Sequence, residues 1–237
     1  MTALALRNGI LVVDKAEGWT SHDVCAFIRS RFRIKKVGHA GTLDPLATGV
    51  LVVLIGQATK KSKEISSCDK DYFGTIQLGL KTDSHDISGS VVERADWRQV
   101  TEEAVRQALQ KFTGVLEQTP PMVSALKHQG VRLYQLARAG KTVDRPKRTV
   151  TVYEFRIEEI DFPNIKSFAR VSKGTYLRTL VNDLGEMLGS FAVLSQLRRV
   201  RSGSFTLDDA VTIEQLKKLE PEKLAPFIRD SAPITVG

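Results

Sequence analysis

Six consecutive apolar residues, Val50 to Ile55 (VLVVLI), ended by Gly56, constrain the fold more than any other stretch of the chain. A strand with one wet face alternates apolar and polar residues, so an unbroken run this short reads as a strand buried on both faces. It requires a sheet covered on two sides. GILVVD, Gly9 to Asp14, reads as a second short buried strand. Thr20 or Ser21 can cap a helix whose apolar face is Val24, Phe27, Ile28 and Phe32. Tyr72 to Leu80 alternates, with Ile76, Leu78 and Leu80 on one side. Thr101 begins a second helix, with Glu102 and Glu103 against its positive end and Val105, Ala108, Leu109 and Phe112 as its stripe. Val150 to Ile160 and Phe168 to Ser172 pair as strands around a turn at Pro163 and Asn164. Leu177, Leu180, Val181, Leu184, Met187 and Leu188 trace an amphipathic helix stopped by Gly189. Val200 to Leu207 is expected as a last strand, and Ile213, Leu216 and Leu219 as a closing helix. Helices and strands mix without regular β-α-β alternation, which predicts an α+β fold on a mixed, largely antiparallel sheet flanked by helices.

No linker separates two halves, so the expected organisation is one domain over residues 9–216 with a short tail at 217–237. Thr119 to Arg148 holds consecutive prolines, two glycines and the densest charge, and reads as an insertion at about residues 120–149 with a short helix near Leu133 to Ala139. At 237 residues and 42% hydrophobic, the chain has apolar mass for a sizeable core. No run approaches the roughly 18 apolar residues of a membrane helix. Met1 to Asn8 lacks the pattern of a signal peptide. Two cysteines, Cys25 and Cys68, make no disulfide framework. These features together suit a reducing cytoplasm.

The formal net charge is +8, which suggests a polyanionic partner. Its distribution is more telling. Lys127, Arg132, Arg138, Lys141, Arg145, Lys147 and Arg148 crowd the insertion with one anion, Asp144, among them. Arg29 to Lys36 contributes five cations and no anion, and Arg198, Arg199 and Arg201 form a third cluster. A single charge run is usually solvated surface; three favour nucleic acid. The nucleotide and metal signatures are absent: Gly56-Gln57-Ala58-Thr59-Lys60 lacks the glycine spacing of a phosphate loop. His22, His39, His85 and His128 are scattered, and neither cysteine falls in a metal spacing. Asp83-Ser84-His85-Asp86 could mimic a metal site, but such a run is more often a polar turn.

Gly38-His39-Ala40-Gly41-Thr42-Leu43-Asp44-Pro45-Leu46-Ala47-Thr48-Gly49 places one carboxylate between glycines and a proline, after a cationic run and before the most buried strand. Read alone, Asp44 is either a capping or turn residue or an acid with chemistry to do at the edge of a basic surface.

This loop resembles the catalytic motif of the TruB family of pseudouridine synthases. Further resemblances fall in order along the chain. Asp14-Lys15-Ala16-Glu17-Gly18 with Thr20-Ser21 resembles the family's N-terminal motif. Asp69-Lys70-Asp71-Tyr72 resembles the segment of its stacking tyrosine, and Ser124-Ala125-Leu126-Lys127 with Gly130 the start of its RNA-gripping insertion. Ser172-Lys173-Gly174-Thr175-Tyr176-Leu177-Arg178-Thr179 resembles its second active-site motif, and Leu197-Arg198-Arg199 a late segment at the target base. The resemblance implies conversion of the uridine at position 55 in the T-loop of tRNA to pseudouridine, by base flipping and without a cofactor. It implies Asp44 as nucleophile, Arg178 as the cation that keeps it ionised, Tyr72 stacked on the uracil and Tyr176 as a second aromatic wall. His39 would occupy the vacated space or stack on displaced bases, and Leu197 would meet the uracil edge. Lys127, Arg132, Arg145, Lys147 and Arg148 would contact phosphates. The implied partner is the tRNA T-stem-loop, bound by a monomer with no obligatory protein partner. Ala16 departs from the family's usual proline and Ala40 from its common hydroxyl residue. There is no length for the C-terminal RNA-binding PUA domain many members carry. Two other readings stay open: an RNA-folding protein without catalysis, and a synthase for another RNA.

Overall fold

The computed structural model describes residues 8–230. In chain order it forms β1 (Gly9–Lys15), α1 (Ser21–Arg31), β2 (Val37–Ala40), β3 (Thr48–Ile55), α2 (Ser62–Ser66), β4 (Lys70–Leu78), β5 (Leu80–Thr82), β6 (Val91–Arg94) and α3 (Glu102–Gln110). There follow β7 (Gly114–Gln118), β8 (Lys127–His128), β9 (Val131–Arg132), α4 (Leu133–Arg138), β10 (Arg148–Asp161), β11 (Asn164–Val171), α5 (Leu177–Met187) and β12 (Ala192–Ser202). β13 (Phe205–Thr206), β14 (Val211–Thr212), α6 (Ile213–Lys218) and β15 (Ile228–Arg229) complete it. This is an α+β fold on a mostly antiparallel sheet, as the mixed pattern predicts. The described residues divide into two compact units. The first holds the chain up to Tyr72 and again from Arg198; the second holds Phe73–Leu197.

The first unit is built on β1 and β3, antiparallel from Gly9 opposite Ile55 to Lys15 opposite Gly49. β14 lies parallel to β1, β15 antiparallel to it, and β2 antiparallel to β3. The Arg198 end of β12 runs parallel to the start of β3. Ile10, Val12, Val50, Val52 and Leu54 form one buried face with Ala58, Ile65 and Phe205. The alternate residues Leu11, Val13, Leu51 and Val53 are buried too. VLVVLI is therefore covered on both sides, because neither face offers a polar side chain to water. Thr20 caps α1 and completes a capping box with Asp23. Val24, Ile28 and Phe32 are buried, while Phe27 meets the Trp19 ring edge-on.

In the second unit β10 pairs antiparallel with β11 on one side and β7 on the other. The turn at Pro163 falls between the strands as expected. Thr101 caps α3, and Leu177, Leu180, Val181 and Leu184 bury the apolar stripe of α5. The insertion holds the β8–β9 hairpin and α4. Three strand expectations need correction. β11 begins at Asn164, placed in the turn by the sequence, and not at Phe168, because pairing with β10 runs up to Asp161. The stretch Tyr72–Leu80 breaks at Gly79 (φ +89), so that Leu80 opens β5. The stretch Val200–Leu207 is a hairpin: β12 starts at Ala192 and ends at Ser202, and β13 folds back onto it. Gly203 (φ +60) reverses the chain in a conformation other residues resist. Among the described residues no helix is long and apolar enough to cross a membrane.

Candidate active site

In the first unit Asp44 sits half-buried on the loop joining β2 to β3. A loop carbonyl withdrawn from water needs a donor, and each one from Gly41 to Pro45 has it. Arg199 donates Nη2 to Gly41 O (3.2 Å) and Nη1 to Thr42 O (3.5 Å). The Ser21 hydroxyl donates to Leu43 O (3.0 Å) and accepts from Leu43 N (2.8 Å). Ala47 N donates to Asp44 O (3.0 Å), and Gly18 N to Pro45 O (2.9 Å). Lys15 Nζ also donates to Pro45 O (3.3 Å), and to Trp19 O (2.7 Å) and Ala16 O (2.9 Å). Thus Asp44 rides on a backbone fixed on both sides of it. Gly41 (φ +85) allows the entry bend, and Gly49 (φ +98) the exit.

Three buried cations, Lys15, Lys70 and Arg199, lie against this loop. Lys15 and Arg199 are 0% and 1% exposed. Burial lowers the Lys15 pKa to about 8, against the pull of the Asp44 and Glu17 carboxylates, which favour its charged form. His39 lies on β2, half-buried, its carbonyl accepting from Ser62 Oγ (3.2 Å). Tyr72 is buried on β4 beside Asp71, whose carboxylate takes two bonds from Arg201 (2.6 and 2.7 Å).

The second unit holds Tyr176, Arg178 and Leu197. Tyr176 is the residue before α5, and the buried Gln118 side chain clamps its backbone. Gln118 donates Nε2 to Tyr176 O (3.0 Å) and accepts from Tyr176 N (2.8 Å). Arg178, in the first turn of α5, is buried; it donates to Ser84 O (2.7 Å) and Val123 O (3.0 Å), with Asp86 at 3.6 Å. Asp86 is itself held by Ser84 and Ser88, so Asp83 to Asp86 is the polar turn expected of it. Among the described residues no three His, Cys, Asp or Glu side chains gather as metal ligands would. Burial, then Arg178, Lys81 and Arg145, lower the His85 pKa to about 4, with Asp86 opposing. Leu197 is half-buried on β12. In the insertion Lys127, Arg132, Lys147 and Arg148 are exposed, whereas Arg145 turns inward and donates to Pro120 O (3.2 Å).

Residues 29–177 match the model of the TruB family pseudouridylate synthase N-terminal domain, and residues 178–231 that of the tRNA pseudouridylate synthase B C-terminal domain. The chain belongs to the TruB family of pseudouridine synthases. It is 48% identical to tRNA pseudouridine synthase B of Geobacter sulfurreducens over 212 residues, 90% of this chain and 70% of that protein. It is 44% identical to the Opitutus terrae protein of the same name over 97% of both chains. Among solved structures it resembles a Cbf5-Nop10-Gar1 complex, at 31% identity and TM-score 0.68, covering 87% of this chain and about half (52%) of that one. TruB enzymes are isomerases that convert uridine to pseudouridine in tRNA. Three residues of this TruB fold carry more than the sequence suggested: Lys15, Arg199 and Gln118. A lysine closing an apolar strand is a signal for the first. Nothing in the sequence marks Gln118.

Proposed function

We propose that this chain isomerises the uridine at position 55 in the T-loop of tRNA, with Asp44 as nucleophile. The observation that carries the reading is the fixed loop: Asp44 is presented on a segment whose carbonyls from Gly41 to Pro45 are all hydrogen-bonded. Preorganisation of this kind is what a reacting carboxylate needs. The uridine is first extruded from the T-loop. Its N1–C1′ bond breaks and the electron pair leaves with uracil, Asp44 attacking the sugar or assisting that departure. Uracil turns and C5 bonds to C1′, displacing the Asp44 carboxylate with its electron pair wherever that had bonded to the sugar; C5 then loses its proton and N1 gains one. Substrate and product are isomers, so no electron donor or acceptor is consumed.

Tyr72 is assigned the stacking face for the uracil, Tyr176 a second wall, and Leu197 its edge, on their places in matched motifs. His39 is assigned the displaced bases and Arg178 the charge of Asp44 on the same ground. The insertion supplies phosphate contacts through Lys127, Arg132, Lys147 and Arg148, which are exposed as such contacts require. Arg145 is better placed to hold the insertion to Pro120. The enzyme works as a cytoplasmic monomer; its two thiols, Cys25 and Cys68, are both free and buried, consistent with a reducing compartment. Mapping pseudouridine in tRNA after incubation with wild type and Asp44→Asn tests the whole reading. Product at position 55 from wild type alone, with tRNA binding preserved in the variant, is expected. Near-normal turnover by Asp44→Asn removes it as nucleophile, and product at another position removes the target.

A further inference from the structure

Arg199 is a costly residue to find where it lies. It is 1% exposed, and its side-chain partners among the described residues are all carbonyls, none a carboxylate. An apolar side chain would fill that space without desolvating a charge. Packing and stability therefore do not account for it. Its placement does. The backbone of Arg199 pairs in parallel with Gly49, at the loop's exit into β3. Its guanidinium returns to the other end of the same loop, with Nη2 on Gly41 O and Nη1 on Thr42 O, while Nε donates to Val50 O (2.7 Å). A single residue thus spans both ends of the loop that carries Asp44. Three nitrogens of one rigid plane reach carbonyls at Gly41, Thr42 and Val50, a spread that the single ammonium nitrogen of a lysine at this position would not reproduce.

We propose that Arg199 is a positioning residue for pseudouridine formation: its fork closes the base of the loop at Gly41, Thr42 and Val50 and so aims Asp44 at the sugar. This rests on Asp44 being the nucleophile. The test is single-turnover pseudouridine formation on tRNA by wild type, Asp44→Asn, Arg199→Lys and Arg199→Met, with tRNA affinity and thermal unfolding measured alongside. Arg199→Lys keeps the charge and loses the fork. Its chemical step should slow by about 100-fold, the effect of a small misplacement of a reacting group. Affinity and the folded fraction should stay near wild type, so that kcat falls while KM does not rise. Arg199→Met, which removes the fork and the charge together, should slow the chemical step at least as much, again without a rise in KM, a split that loosened packing alone does not produce. Wild-type rates in Arg199→Lys overturn the proposal. So does a loss of rate matched by a loss of folded protein in both variants, because Arg199 would then serve the fold alone. An active wild type with an active Asp44→Asn instead overturns the nucleophile reading, and an inactive wild type overturns the activity itself.

Discussion

Gly49 and Gly174 both have a positive φ, +98 and +81, yet they answer to different forces. A Cβ on Gly49 would stand 2.1 Å from the Arg199 carbonyl oxygen, whereas a Cβ on Gly174 meets nothing within 4 Å. Gly174→Ala therefore carries backbone strain alone, about 1–2 kcal/mol. Gly49→Ala adds a collision between two paired backbones, neither of which is a flexible side chain, and should lose about 3 kcal/mol or more. Urea unfolding of the two variants checks the difference, and similar losses would show that the close approach of β3 and β12 relaxes freely. His85 makes a second residue-scale case. Its pKa in the fold is about 4, below the ordinary 6.5, because burial and the cations Arg178, Lys81 and Arg145 disfavour its charged form. Between those pH values the unfolded chain binds the proton more tightly than the native one. This group's stability is complete above about pH 6.5 and drains as pH falls toward 4. His85→Gln should lose less stability than wild type between pH 7 and pH 4.5 in urea unfolding.

At the scale of elements, the start of α5 depends on a residue far away in sequence. The first N–H groups of a helix have no partner within it. Gln118, at the end of β7, satisfies Tyr176 N and O together and is itself only 3% exposed. Gln118→Ala leaves both groups without that partner, which should cost about 2 kcal/mol and loosen the segment that presents Tyr176. Hydrogen exchange at the Tyr176 amide should quicken more than at Leu184, in the middle of the same helix. The example also shows what the sequence could tell. α1, β3 and α5 were legible because period and caps act within a few residues: the run VLVVLI, the Thr20 cap, the stripe from Leu177 to Leu184. Asp44, Tyr176 and Arg178 could be put forward from the sequence because each lies inside a compact motif. The Gln118 clamp and the Arg199 fork were not, since each joins atoms on elements well separated in the chain, and neither residue type announces its partner. The division of β12 and β13 at Gly203 was hidden for a related reason. Gly203 lies between Ser202 and Ser204, a turn-prone triplet, but so short a signal does not say whether the chain bends or reverses there.

At the scale of the whole molecule, charge and exposure together separate the cations that can meet a polyanion from those that hold the fold. Of the basic side chains, Lys15 and Arg199 are buried under the Asp44 loop, and Arg178 is buried against Ser84, Val123 and Asp86. None of these three is open to bulk phosphate. Arg145, though within the insertion, is bound to Pro120. Lys127, Arg132, Lys147 and Arg148 remain exposed on a segment with one nearby anion, Asp144. Displacement of counterions by such residues makes affinity fall with salt, by a slope that counts the phosphates neutralised. Replacing Lys127, Lys147 and Arg148 with Gln should therefore weaken tRNA binding and flatten the plot of log affinity against log salt by about one unit for each phosphate no longer neutralised. Arg145→Gln should leave that slope nearly unchanged and lower the unfolding temperature instead, because it removes a hydrogen bond within the protein. Filter binding across a salt series and thermal melts of the triple variant and Arg145→Gln distinguish the two roles. An unchanged slope in the triple variant would mean that the insertion does not grip RNA, and a flattened slope in Arg145→Gln would mean that its guanidinium leaves Pro120 to reach the backbone of the tRNA.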